Sequence, residues 1–116
     1  MGNLFEMFRP EKRCPAISPK DAKDLLAADK SVLLIDVRTP QEYAEVRIPG
    51  SILAPLDILS LKIQDIAPSK DTKLIVYCRS GARATSACTQ LAHLGYTNVS
   101  NLGGIMTWPY ETVSGR

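Results

Sequence analysis

Leu74-Ile75-Val76-Tyr77-Cys78-Arg79-Ser80-Gly81-Ala82-Arg83-Ala84 joins an apolar run to a loop of small residues and then to a helical pattern. Leu74 to Tyr77 is apolar without alternation, which is how a strand buried on both faces of a parallel sheet reads. From Arg83 to Leu94, the residues Ala84, Ala87, Cys88, Leu91 and Leu94 recur at helical spacing, and Gly95 stands where a left-handed C-cap belongs. Strand, tight turn and helix in that order place Cys78 at the carboxyl end of a strand. Open α/β sheets collect their reactive groups there.

The same reading extends outward. Val32 to Val37 is a second unalternating apolar run, hence a first central strand. Ser18 as cap, Pro19 at the first helical position, Asp21 in the first turn and Ala22, Leu25 and Leu26 on one face predict a helix over 19–28. Asn98-Val99 after Gly95 suggests a further short strand, and Ser51 to Ala54 a weaker one. Strands alternating with helices point to an α/β fold with a parallel sheet covered by helices on both faces. Residues 1–15 carry no period and read as an N-terminal arm, leaving one domain over 16–116.

Composition excludes several functions. At 116 residues, with 45% hydrophobic and 22% charged residues, the chain has the balance of one globular domain able to build a core. A formal net charge of +2 without a basic run leaves nucleic-acid binding no electrostatic basis. No apolar stretch approaches the roughly 18 residues of a membrane span, and Met1 to Arg9 lacks the pattern of a secretory signal. Cys14, Cys78 and Cys88 are an odd set without a Cys-x-x-Cys pair. Neither a metal site nor a disulfide framework is expected, and a reducing, cytoplasmic setting fits best.

Cys78 is the candidate nucleophile. Backbone N–H groups of the loop can turn toward its sulfur, the following helix adds the positive end of its dipole, and Arg79 and Arg83 bring two cations. All three favour thiolate over thiol. An isolated cysteine is usually a small buried hydrophobe; this setting argues otherwise.

Leu34-Ile35-Asp36-Val37-Arg38, Glu42-Tyr43, Ile48-Pro49-Gly50-Ser51, Val76 through Arg83, and Gly95-Tyr96 through Leu102-Gly103-Gly104 to Trp108 resemble, in order, the landmarks of a single rhodanese domain over about residues 16–110. The resemblance implies a five-stranded parallel sheet with flanking helices, no cofactor, and a cysteine that carries sulfane sulfur as a persulfide. It implies a sulfurtransferase in which Cys78 takes sulfur from thiosulfate or a similar small anionic donor and passes it to cyanide or a thiol, or to a protein persulfide acceptor. One stretch departs from the family: Val46-Arg47-Ile48-Pro49-Gly50 stands where relatives usually read Gly-His-Ile-Pro-Gly.

Roles follow residue by residue. Arg79 and Arg83 offer forked guanidinium groups to the oxyanions of the donor. Ser80, Gly81 and Ala82 line the cradle, Ser80 and Ala82 chiefly through backbone N–H groups. By the same likeness Asp36 and Arg38, next to the active-site edge, take a structural ion-pair or loop-holding role. His93 is excluded as a base, because eleven residues beyond Ala82 at 1.5 Å each put it about 16 Å down the helix. Cys88 reads as core on the apolar face of that helix, Cys14 as a bystander in the arm, and Trp108 as a core plug near the end of the chain.

Two rivals remain. Phosphatases and arsenate reductases of related fold hold five residues between cysteine and arginine, whereas Cys78 and Arg83 enclose four; the smaller loop favours sulfur. A regulatory or persulfide-relay module working with a protein partner is the other.

Overall fold

The computed structural model describes residues 14–115, so the arm expected over 1–15 lies outside the described residues except for Cys14 and Pro15. The first helix among the described residues, α1 (Pro19–Ala28), starts where Ser18 Oγ accepts from the Asp21 N–H at 3.1 Å and Pro19 needs no partner for its nitrogen. It buries Ala22 and packs Leu25 and Leu26.

Then come β1 (Leu33–Asp36), the short α2 (Pro40–Glu45), β2 (Ile52–Leu53), a 3₁₀ turn at Leu56–Ile58, and α3 (Leu59–Ile66). The chain continues through β3 (Leu74–Cys78), α4 (Ala82–His93), β4 (Val99–Gly104) and a 3₁₀ turn at Ile105–Thr107. The sheet runs β2-β1-β3-β4 with every pairing parallel. Asp36 lies opposite Tyr77, so the carboxyl ends of β1 and β3 finish side by side.

Side-chain alternation sorts the core into two layers. Leu74, Val76 and Cys78 face α3 and α4 with Ile35, Leu59, Ile63, Ala87 and Leu91. Ile75 and Tyr77 face α1 with Leu34, Ile48 and Leu102, and half-buried Trp108 closes that layer. Helices therefore cover both faces of a parallel α/β sheet.

The sheet has four strands among the described residues rather than the expected five. The place of a fifth, beyond β4, is taken by one parallel rung between Ala16 and Asn101. There the Ile17 N–H donates to Asn101 O at 3.0 Å and the Asn101 N–H to Pro15 O at 2.8 Å. Pro15 has no N–H to extend the ladder and Pro19 already opens α1, so the strand cannot lengthen.

A second correction concerns the cysteines. Cys14 and Cys88, 74 positions apart in sequence, form a disulfide with their Cα atoms 5.6 Å apart. The rung at Ala16 carries the chain back along β4 and over α4, so residues remote in sequence become neighbours. Cys88 is indeed core, at 1% exposure, but it is not a free thiol, and Cys14 is its partner rather than a bystander.

Candidate active site

Cys78 ends β3 and is 1% exposed. Its Sγ accepts from the Gly81 N–H at 3.0 Å and the Ala84 N–H at 3.3 Å. Gly81 immediately precedes α4 and offers no side chain to cap it, so the sulfur takes the place of a capping oxygen and satisfies donors the helix leaves free. The chain turns tightly enough only because Gly81 adopts φ +120°, in the region that disfavours a Cβ. The N–H groups that reach the sulfur are those of Gly81 and Ala84, not those of Ser80 and Ala82, whose residues are exposed.

The loop rests on the end of β4. A Cβ at Gly104 would lie 2.2 Å from Arg79 O and 2.7 Å from Ser80 Cα, both backbone atoms. Only glycine permits this approach. The Met106 N–H then donates to Arg79 O at 3.2 Å and ties the loop to the following turn.

Of the two loop arginines, one is engaged. Arg83 Nη1 and Nη2 donate to Glu42 Oε1 and Oε2 at 2.7 and 3.0 Å, a fork on a fork. Glu42 is itself fixed by the capping box of α2: the Thr39 N–H donates to its Oε1 at 3.0 Å, and its own N–H donates to Thr39 Oγ1 at 3.2 Å. Arg83 and the Thr39 N–H together outweigh partial burial and hold the Glu42 carboxyl at about 2, far below its ordinary 4.5. The same pairing raises Arg83. Arg79 is exposed and forms no ion pair among the described residues.

Asp36 and Arg38 form a buried pair at the end of β1. Arg38 Nε and Nη2 both donate to the carboxylate, the latter at 2.7 Å, and Nη2 also donates to Val46 O at 2.6 Å. This fixes the loop entering the Ile48–Ser51 turn, which closes with Gly50 at φ +81° and the Ser51 N–H donating to Ile48 O at 3.2 Å. The departure at Val46-Arg47 thus leaves the turn intact. Arg47 instead pairs its backbone with Val113, donates from Nη1 to Tyr43 O and Gly115 O, and lies over the Tyr43 ring.

A cleft of about 420 Å³ opens beside the loop, lined by Arg38, Thr39, Pro55, Leu56, Arg83 and Gln90 among others. His93 stands exposed in the last turn of α4, at the opposite end from the sulfur. No group of His, Cys, Asp and Glu among the described residues could hold a metal ion.

Residues 18–110 match the family model of the rhodanese-like domain. The chain belongs to the rhodanese family. A sulfurtransferase of Allochromatium vinosum is 40% identical to this rhodanese domain over 93 residues, which make up 79% of this chain and 85% of that one. A thiosulfate sulfurtransferase of Escherichia coli is 35% identical over 70% of this chain and 78% of its own length. In the solved structure of a Pseudomonas aeruginosa thiosulfate sulfurtransferase, the matching portion superposes with a TM-score of 0.83 at 26% identity. It covers 97% of this chain and 22% of that larger one.

Three residues of the rhodanese site escaped the sequence reading as site residues: Glu42, Ala84 and Gly104. Thr39-Pro40-Gln41-Glu42 carries the signature of a capping box and was a usable signal for α2. Ala84 follows from the rule that the first turn of a helix leaves its N–H groups free. For the pairing of Glu42 with Arg83, 41 positions away, the sequence carries no comparable signal.

Proposed function

We propose that this chain is a sulfurtransferase that carries sulfur on Cys78. The Cys78 thiolate attacks the outer sulfur of thiosulfate or a similar donor. The donor's S–S bond breaks, sulfite leaves with the electron pair, and Cys78 becomes a persulfide. Cyanide or a thiolate then attacks the terminal sulfur, giving thiocyanate or a new persulfide and returning the Cys78 thiolate.

One observation carries this reading: the Gly81 and Ala84 N–H groups, 3.0 and 3.3 Å from Sγ, are set to receive negative charge on that sulfur. The names of the relatives support the donor class. Arg79 is the cation assigned to the sulfonate end of the donor, while Arg83, occupied by Glu42, shapes the loop. Ser80 and Ala82 border the mouth of the cradle, and Asp36 and Arg38 brace it from β1.

Incubating the protein with thiosulfate and recording its intact mass tests the proposal. The expected result is a gain of one sulfur atom, lost on adding cyanide with release of thiocyanate and absent in Cys78→Ser. Aryl-phosphate hydrolysis without sulfur uptake would favour the phosphatase reading; a similar Rhodopseudomonas palustris structure is described as a protein of unknown function, possible tyrosine phosphatase. Four residues between Cys78 and Arg83 argue against that outcome.

A protein acceptor is a second reading. The chain is 30% identical to part of a probable adenylyltransferase/sulfurtransferase of Mycobacterium tuberculosis, spanning only 24% of that protein. On this reading a partner's thiolate attacks the outer sulfur of the Cys78 persulfide, becomes a persulfide itself and returns the Cys78 thiolate. No described helix is long and apolar enough to cross a membrane. A cytoplasmic setting stays a proposal against which the Cys14–Cys88 disulfide weighs, because such bonds persist chiefly in oxidising compartments.

A further inference from the structure

We propose that Asn101 and Thr85 are positioning residues for sulfur uptake, holding Gly81 so that its N–H meets the Cys78 sulfur; this rests on the sulfurtransferase reading. The starting point is an irregularity in β4. Val76 lies opposite Asn101, but Tyr77 lies opposite Gly103, so Leu102 is an extra residue and the strand bulges. Bulges re-aim side chains and gather beside active sites.

Here the bulge is locked by its own asparagine. Asn101 Oδ1 accepts from the Gly103 N–H at 2.7 Å, and Gly103 takes φ +91°. Gly103 Cα would in turn lie 4.0 Å from a Cβ built on Gly81, so the bulge forms the wall behind the cradle glycine. The other end of the same amide, Nδ2, donates to Thr85 Oγ1 at 3.4 Å. Thr85 closes the path: its Oγ1 and its N–H both donate to Gly81 O, at 3.1 and 3.0 Å. Gly81 is therefore held at its carbonyl by Thr85 while its N–H donates to the sulfur.

The backbone of Asn101 is pinned as well, by Pro15 O on one side and the Ile17 N–H on the other. The strap that ends at the Cys14–Cys88 disulfide thus bears on the residue that sets the bulge. Neither Asn101 nor Thr85 has a polar atom on Cys78, so both act through Gly81. Removing them should slow the chemical step and leave donor binding alone.

The test measures single-turnover sulfur uptake over a range of thiosulfate concentrations, alkylation of Cys78 by iodoacetamide, and the melting midpoint. The proteins are the parent, Thr85→Val, Thr85→Ser and Asn101→Ala. Thr85 is exposed, so Thr85→Val removes the hydroxyl at nearly constant shape without emptying the core. The expected result is a limiting uptake rate lower by about 3- to 10-fold in Thr85→Val and Asn101→Ala. The half-saturating thiosulfate concentration should not change, the melting midpoint of Thr85→Val should match the parent, and Thr85→Ser should react at the parent rate. Parent-like rates in both Thr85→Val and Asn101→Ala, or Thr85→Ser as slow as Thr85→Val, would overturn the proposal. If the parent takes no sulfur from thiosulfate, the sulfurtransferase reading fails by itself. Alkylation then decides the positioning: slower in Thr85→Val and Asn101→Ala supports it, and equal rates overturn it.

Discussion

Glu42 reaches across 41 positions of sequence to take both terminal nitrogens of Arg83, joining the first turn of α2 to the first turn of α4. Arg83, which looks like an anion-binding cation, is thereby paired within the fold, whereas Arg79 forms no ion pair among the described residues.

That pair has a pH signature. Its carboxyl is held at about 2 in the folded chain against 4.5 ordinarily. A depressed folded value means that the stabilisation is complete above the unfolded value and is lost as pH falls from near 4.5 toward 2. With the two side chains 23% and 35% exposed, solvent screening reduces the contribution to about 1 kcal/mol. Urea midpoints between neutral pH and pH 2 should fall more for the parent than for Glu42→Gln; parallel curves would remove the pair from the stability of the fold.

Arg79→Ala should raise the thiosulfate KM and lower kcat/KM by about 10-fold, the low end for a charged hydrogen bond because the residue is exposed. Arg79→Lys should recover only part, since an ammonium cannot reproduce the guanidinium fork. Full recovery by lysine would show that charge alone is needed.

Gly104→Ala forces a methyl to within 2.2 Å of Arg79 O, where only backbone can give way. Overpacking of this kind costs about 1–3 kcal/mol and here displaces the Cys78 loop. Calorimetry and sulfur uptake should both register the change, with uptake falling further than stability predicts. An active, parent-like Gly104→Ala would mean that the loop does not depend on this contact.

Cys14→Ser removes the disulfide and, by the chain-entropy argument for a closed loop of this length, costs about 4 kcal/mol, with measured effects typically about 2–4. Denaturation with and without a phosphine reductant checks it. The parent should lose stability on reduction, and Cys14→Ser should be indifferent to the reductant.

Arg38→Met strands Asp36, which is 0% exposed, as an uncompensated buried charge. Breaking such a pair costs about 3–5 kcal/mol. Asp36→Asn combined with Arg38→Met should be less damaging than Arg38→Met alone in urea denaturation.

What could be read in advance followed physical locality. The helix over 19–28 was legible because Ser18 and Pro19 announce its start, and β3 because a buried parallel strand needs an unbroken apolar run. Cys78 was legible for the same reason: strand, glycine and helix stand within seven residues. Two helices went unread. α2 spans six residues and buries none fully, while α3 starts at Leu59 behind Ile58, which offers no side-chain cap. β4 proved longer than Asn98-Val99 suggested, because Gly103 and Gly104 look like turn residues and serve instead as the seat of the loop. The disulfide and the Glu42–Arg83 pair were illegible because spacing in sequence carries no information about contacts made only once the sheet has assembled. The five-strand expectation failed at one spot, where two prolines four positions apart leave room for a single rung.

Because Cys14 and Cys88 are bonded, the chain between them is a covalent ring, and everything after Cys88 is an open branch growing from it. Cys78 sits on the ring; the glycines that seat its loop sit on the branch. A protease that cuts once at the exposed Pro68–Ser69 turn leaves one molecule, with both new ends still tethered. One that cuts at exposed Thr97–Asn98 frees β4 as a separate peptide, held afterwards only by the sheet. Two nicks of the same kind thus have opposite fates: the first preserves the pairing of sulfur and seat as an intramolecular event, and the second makes it depend on concentration.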